Sequence, residues 1–196
     1  MNGSEHLGVS PSLTTRLTGK ANRGAHPKLK ATVKVPKGNA DIRRAVVTLP
    51  RSEILDQGHI GTTCTRVQFA AQACPAASKY GFAKAKTPLL DKPLEGPVYL
   101  RASNHKLPDL VADLRGQIRI ALDGKIESVN GAIRTIFETV PDAPITSFVL
   151  NMQGGSKGLL QNTTNICRGV NRTKAKFSAQ NGRQVSLNPP LKNTSC

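Results

Sequence analysis

Tryptophan is absent, and two tyrosines and five phenylalanines make up the whole aromatic content of 196 residues. A core must therefore come from Val, Ile, Leu and Ala, interrupted by 17 Gly and 13 Pro, which favours short strands over long helices. Carboxylates are also scarce: 12 Asp and Glu stand against 28 Lys and Arg, a formal net charge of +16. The last acid is Asp142, so residues 143–196 carry seven cations and no carboxylate. That imbalance argues against a neutral, self-contained metabolic enzyme and for contact with polyanions. No run reaches the roughly 18 to 20 apolar residues of a spanning helix. Met1–Gly19 also lacks the apolar stretch of a secretory leader. The chain is then either cytoplasmic or the mature or cloned part of a longer exported product. At 38% hydrophobic content it has enough apolar material for a folded core.

Four cysteines, Cys64, Cys74, Cys167 and Cys196, choose between those compartments. Neither local pair has C-x-x-C spacing, and His59 is the one histidine near either pair, so a metal centre built on these cysteines is disfavoured. Closing Cys64 on Cys74 and Cys167 on Cys196 ties loops of about 11 and about 30 residues, each contributing about 3 kcal/mol in the chain-entropy description. Cys196 then acts as a staple for an end that would otherwise fray. Both closures require an oxidising, extracytoplasmic location.

Residues 1–28 mix Gly, Ser, Thr, His and Lys with few apolar positions and read as a flexible basic arm ahead of a single disulfide-tied domain, residues 29–196. Leu29, Ala31, Val33 and Val35 alternate with polar residues, as in a strand with one wet face. Similar alternation marks Arg43–Leu49, Ala83–Lys86, Val98–Leu100, Leu110–Leu114, Ile118–Leu122, Ile133–Glu138, Phe148–Met152 and Lys174–Ala179. Asp123-Gly124, Asn130-Gly131 and Asn181-Gly182 are hairpin signals, the last expected to supply two positive-φ residues. Pro88, Pro93 and Pro97 place their segments at strand ends or edges. Pro141–Pro144 reads as a rigid corner. Over residues 52–80, Ser52 as a cap and the spacing of Val67, Ala70, Ala71 and Cys74 predict a short helical excursion that plugs one end of a sheet. The fold class is all-β: an antiparallel β-sandwich of about ten short strands.

Candidate chemistry is sparse. Gly154-Gly155-Ser156-Lys157-Gly158 lacks the spacing of a phosphate loop and reads as a turn, and no G-x-S-x-G elbow exists. His6, His26, His59 and His105 lie in polar, loop-like contexts. Asp109 with Asp113, and Asp123 with Glu127, are four apart on strands with nothing apolar to enclose them. No catalytic, cofactor or metal residues are assigned. Lys30, Lys34, Lys84, Lys86, Lys174 and Lys176 fall on the wet faces of predicted strands and are the candidate polyanion-binding residues. With few aromatics to stack on bases, sequence-specific nucleic-acid recognition is not expected. Asn2, Asn162, Asn171 and Asn193 begin N-glycosylation sequons that suit surface loops.

Three segments together carry a family resemblance: Cys74-Pro75-Ala76-Ala77-Ser78 with Gly81, continuing from Pro88-Leu89-Leu90 to Gly96-Pro97-Val98-Tyr99-Leu100; Leu107-Pro108-Asp109-Leu110-Val111; and Pro141-Asp142-Ala143-Pro144 to Phe148, with Gly154-Gly155, Gly158-Leu159-Leu160 and Cys167. Over residues 40–196, including Leu49-Pro50, the chain resembles uncharacterised secreted or surface-associated β-rich proteins of actinobacteria. The resemblance implies an exported, disulfide-tied module and brings no catalytic residues.

The expected function is that of a non-enzymatic structural or adhesive module at a bacterial cell surface. Its basic strand faces would contact an anionic wall polymer or another polyanion. The alternative is a virion shell protein whose arm, with seven Lys and Arg and no acid from Arg16 to Lys37, neutralises nucleic acid.

Overall fold

The computed structural model describes residues 6–138 and 144–196. Asn2 and most of the Pro141–Pro144 corner lie outside them. The described residues form fourteen strands, one α-helix and three single-turn 3-10 helices. In chain order the strands are β1 (Ser12–Thr18), β2 (Lys28–Lys34), β3 (Ile42–Thr48), β4 (Glu53–Leu55), β5 (Lys79–Lys86), β6 (Leu94–Arg101) and β7 (Asp109–Arg115). They continue with β8 (Arg119–Val129), β9 (Ala132–Phe137), β10 (Ser147–Met152), β11 (Leu160–Asn162), β12 (Lys174–Ala179), β13 (Gln184–Leu187) and β14 (Leu191–Asn193). Helix α1 spans Arg66–Ala70.

Twelve strands make one sheet in the order β13-β12-β3-β9-β8-β7-β6-β5-β10-β2-β1-β14, and β4 pairs separately with β11. Every pairing is antiparallel except β1 with β14. Leu13 of β1 and Ala31 and Val33 of β2 pack against Ala45 and Val47 of β3 and Ala175 and Phe177 of β12, although these strands lie towards opposite ends of the sheet order. The hydroxyls of Thr15 and Thr173 meet at 3.0 Å. The sheet therefore curls until its two halves face each other. The all-β class holds, but the two facing layers come from one curled sheet and the strands number fourteen among the described residues.

The seam of the curl is laced by residues 189–196. Thr173 N–H donates to Pro189 O (2.9 Å), Leu191 N–H to Asn171 O (2.7 Å) and Thr194 N–H to Leu17 O (3.0 Å). The Cys167–Cys196 disulfide closes the same seam. The second disulfide, Cys64–Cys74, brackets α1. Both pairings are those expected from spacing.

The basic arm is corrected in part. Residues 12–18 form β1, with Leu17 0% and Thr15 1% exposed, and β1 pairs with β2 from Ser12 opposite Lys34 to Thr18 opposite Lys28. Only two of its seven residues are apolar hydrocarbons. Thr15 takes the third inward place because Thr173 satisfies its hydroxyl, a partner 158 residues away.

Asp123-Gly124 is not a turn. It lies inside the eleven-residue β8, and inward-facing Ile120, Leu122, Gly124 and Ile126 continue the period-two pattern straight through it. Glycine is required there because a Cβ would come within 2.7 Å of Phe137 Cε1 and 3.0 Å of Thr135 Cγ2. Gly124→Ala is expected to force that ring aside and cost about 1 to 3 kcal/mol, read as a lower midpoint in urea unfolding. Asn130-Gly131 does form the expected turn, with both residues at positive φ. In the β12–β13 connection only Gly182 is left-handed, and its N–H closes on Ala179 O, so this hairpin uses one positive-φ residue, not two. Pro97 lies within β6 between β5 and β7, not at an edge. The β6–β7 ladder has no paired partner for Gly96 or Pro97, since proline has no N–H to give.

The helical excursion is shorter and differently faced. Glu53–Leu55 is β4, so Ser52 caps nothing helical. The cap of α1 is Thr65, whose hydroxyl accepts from Gln68 N–H (3.0 Å) while Gln68 Oε1 accepts from Thr65 N–H (2.9 Å). A single turn has room for one inward side chain, and that is Phe69; Val67 is 79% exposed. Phe69 lies against Tyr99 and Val111, on the outer face of β6 and β7. Thus α1 covers a sheet face and does not plug an end.

Candidate functional site

The strand order decides what the six candidate lysines can do together. β10 lies between β2 and β5, so Lys34, Ser147 and Lys86 form one outward row, and Lys30, Asn151 and Phe82 another. Beyond Lys30 the second row continues through Arg16 to Lys192. Thr32, Val149, Lys84 and Glu95 form the row between them. Adjacent strands are about 4.8 Å apart, which puts Lys34 and Lys86 about 10 Å from each other. With Lys28, this face presents seven cations and one carboxylate, Glu95, whose Oε2 lies 3.9 Å from Lys84 Nζ. Lys30, Lys34 and Lys86 have no ion-pair partner among the described residues. Phe82, 45% exposed, adds an apolar surface to the same face.

Lys174 and Lys176 do not join it. They project from β12, in the opposite half of the curl, beside Thr48 and Val46 of β3. Arg134 and Glu127 form an ion pair nearby on β9 and β8. The candidate residues therefore divide into a dense group of four and a separate pair.

The paired acids are structural. Burial alone would raise the Asp113 carboxyl, but hydrogen bonds and charge from Arg119 and Arg115 outweigh it and hold the carboxyl below its ordinary value. Both guanidiniums contact it, Arg119 Nε at 2.7 Å and Arg115 Nη2 at 2.5 Å. The Arg119 guanidinium also lies 5.3 Å from the centre of the Phe69 ring. Asp109 meets the His105 ring at 2.6 Å, and Arg101 bridges Asp109 and Asp123. Among the described residues each of these carboxylates is paired with a guanidinium and, for Asp109, also with the His105 ring.

Two places have no signature in the sequence. His26, in the β1–β2 connection, and His59, four residues beyond β4, stack with ring centroids 4.0 Å apart, and both approach Asp56. The hydrogen bond from His26, set partly against burial, holds the Asp56 carboxyl below its usual range, helped by the Gly58 N–H and by the two neighbouring imidazoles. Among the described residues this is the one group of three side chains placed to share a metal ion. Asp56-x-x-His59 is visible as a spacing; His26, thirty residues earlier, is not. The second place is a cavity of about 140 Å³ between the facing halves of the sheet, lined by Leu13, Val33, Val47, Leu122, Phe148 and Phe177 among other apolar side chains.

Asn162 is also relocated. It is 1% exposed in β11, and its Nδ2 donates to Lys20 O and Asn22 O, so it is not a surface acceptor for sugar.

No protein-family model matches the sequence, and a search of curated proteins returns no match. Among solved structures, a DUF4466 family protein of Parabacteroides merdae has 10% identity and a TM-score of 0.37 over 93% of this chain and 43% of that one. The N-terminal domain of the Streptococcus gordonii adhesin Sgo0707 has 13% identity and a TM-score of 0.37 over 92% of this chain and 32% of that one. AggA, the major subunit of aggregative adherence fimbriae type I of Escherichia coli, has 10% identity and a TM-score of 0.23 over 95% of each. The chain thus spans less than half the length of the first two, and at these scores the likeness assigns it no role.

Proposed function

We propose that this chain is a non-enzymatic extracellular module at a bacterial cell surface that holds an anionic polymer on the outer face of β14, β1, β2, β10 and β5. The observation that carries this reading is the row pattern of that face, where Arg16, Lys28, Lys30, Lys34, Lys84, Lys86 and Lys192 stand within a few strands of one another with Glu95 as the single acid. Charges fixed on a rigid sheet at spacings of about 5 to 10 Å suit a repeating polyanion better than a compact ligand. Two disulfides support an oxidising compartment. The resemblance to exported actinobacterial modules points the same way. The virion-shell alternative loses its motive, since most of the cations in its supposed free arm lie on β1 and β2.

Labelled linear polyphosphate is a suitable probe. Binding is expected to weaken on the order of 10- to 100-fold between 50 and 200 mM salt as counterions compete for about four contacts. Replacing Lys30, Lys34, Lys84 and Lys86 together by glutamine should remove most of the salt-sensitive binding, and replacing Lys174 and Lys176 should leave most of it. Equal losses in the two variants, or no binding at low salt, would refute the assignment.

A further inference from the structure

We propose that His26, Asp56 and His59 form a binding site for one divalent cation of the zinc class. The proposal is independent of the cationic face. His26 Nε2 lies 2.7 Å and His59 Nε2 3.6 Å from Asp56 Oδ2, and one donor atom from each residue falls within 4.8 Å of the others. Ligand atoms of a tetrahedral zinc ion at about 2.0 to 2.1 Å stand about 3.3 Å apart, so the two imidazoles, stacked at 4.0 Å with 18° between their planes, must turn out of the stack for both lone pairs to converge on one ion beside Asp56 Oδ2. Two imidazole nitrogens and one carboxylate select a borderline-soft cation over magnesium or calcium.

The hydrogen-bond geometry behind His59 supports the same reading. His59 Nδ1 lies 2.8 Å from the Gly158 carbonyl oxygen, which can only accept, so Nδ1 carries a hydrogen. Nε2 is then the ring nitrogen turned towards Asp56 Oδ2, at 3.6 Å, and the one placed to act as a ligand. A backbone carbonyl on the distal nitrogen is also the usual second contact of a metal-ligating histidine. Asp56 is oriented likewise: its Oδ1 accepts the Gly58 N–H at 3.0 Å, which leaves Oδ2 to the histidines.

The site is braced from behind. Gly155 N–H donates to His26 O at 2.9 Å. A Cβ on Gly154 would come within 2.8 Å of His26 O, and one on Gly158 within 2.8 Å of His26 Cβ. The glycine-rich turn at 154–158 therefore presses on His26 as closely as backbone allows. The three side chains keep 18 to 27% of their surface exposed, which gives a cation an entry path from solvent.

The alternative is a metal-free cluster in which His59 is doubly protonated and pairs with Asp56. The full chain, stripped with chelator, should bind one equivalent of Zn2+ by calorimetry at pH 7.5. Co2+ should develop visible absorption bands of a tetrahedral site, and Mg2+ should do neither. His26→Gln and His59→Gln should each weaken Zn2+ binding at least about tenfold, while His105→Gln, which alters the other histidine–aspartate pair, should not. Asp56→Asn serves as a further ligand variant should either histidine change disturb folding, with circular dichroism of the metal-free protein as the check. Absence of saturable one-equivalent binding, or binding untouched by the His26, His59 and Asp56 changes, would overturn the proposal.

Discussion

Glu53→Gln is expected to stabilise the protein by up to about 5 kcal/mol above pH 8 and by almost nothing below pH 4.5. Glu53 is 0% exposed, neither carboxyl oxygen has a hydrogen-bond partner among the described residues, and burial pushes the carboxyl from 4.5 up to about 8. Its cross-strand neighbour Asn162 also keeps Oδ1 buried without a donor. A neutral acid, which has an O–H to give, suits that place better than a carboxylate. Between the two pKa values the folded chain holds a proton that the unfolded chain has released, so stability falls as pH rises from about 4.5 to about 8 and then levels off. A tenfold difference in proton affinity between the folded and unfolded chains is worth about 1.4 kcal/mol, which sets the upper figure. Asp56 and Asp113 work in the opposite sense: their folded values are depressed, and their contributions disappear as pH falls through the acid range. Wild-type stability should therefore peak in mildly acid solution. Urea unfolding at pH 4.5, 6.5 and 8.5 tests this; a wild-type curve that does not fall with pH relative to the variant would contradict the assignment.

Replacing Cys167 and Cys196 with serine should cost about 3 to 4 kcal/mol, slightly more than the same change at Cys64 and Cys74, because the longer loop regains more freedom on unfolding. The damage should also be local. β14 is three residues long and sits at the end of the sheet order, next to β1 alone. Without the bond this end depends on the Leu191 N–H to Asn171 O and Thr194 N–H to Leu17 O bonds and on the Ser195 hydroxyl donating to Gly19 O, which can fray singly. Hydrogen exchange should accelerate over residues 189–196 of the variant while β7 and β8 stay protected. Uniform acceleration through the whole sheet would mean that the seam is not a separate unit. Loss of β14 would also leave β1 as an open strand edge, so the variant is expected to self-associate more readily.

Much of the architecture is legible in alternation. β2, β5, β10 and β12 lie where their period-two patterns place them, because each buries one face and wets the other. The disulfide pairing is legible in the two short separations. β1 is not, since its inward Thr15 becomes a core residue only through Thr173. Gly124 resembles a turn residue until Phe137 occupies the space its missing side chain leaves. The His26 cluster is hidden because its three members come from two separate chain segments whose approach follows from loop packing.

Taken alone, the amino-acid order determined the β class, the wet positions of the lysines, the excess of positive charge and the two sulfur links, all consequences of local periodicity and composition. Which lysines stand together, and that a histidine from one loop meets an Asp-x-x-His turn from another, was decided by strand order and by the curl of the sheet. Those are settled by the burial of faces far apart in the chain, and alternation within a strand carries no information about which strand lies beside it.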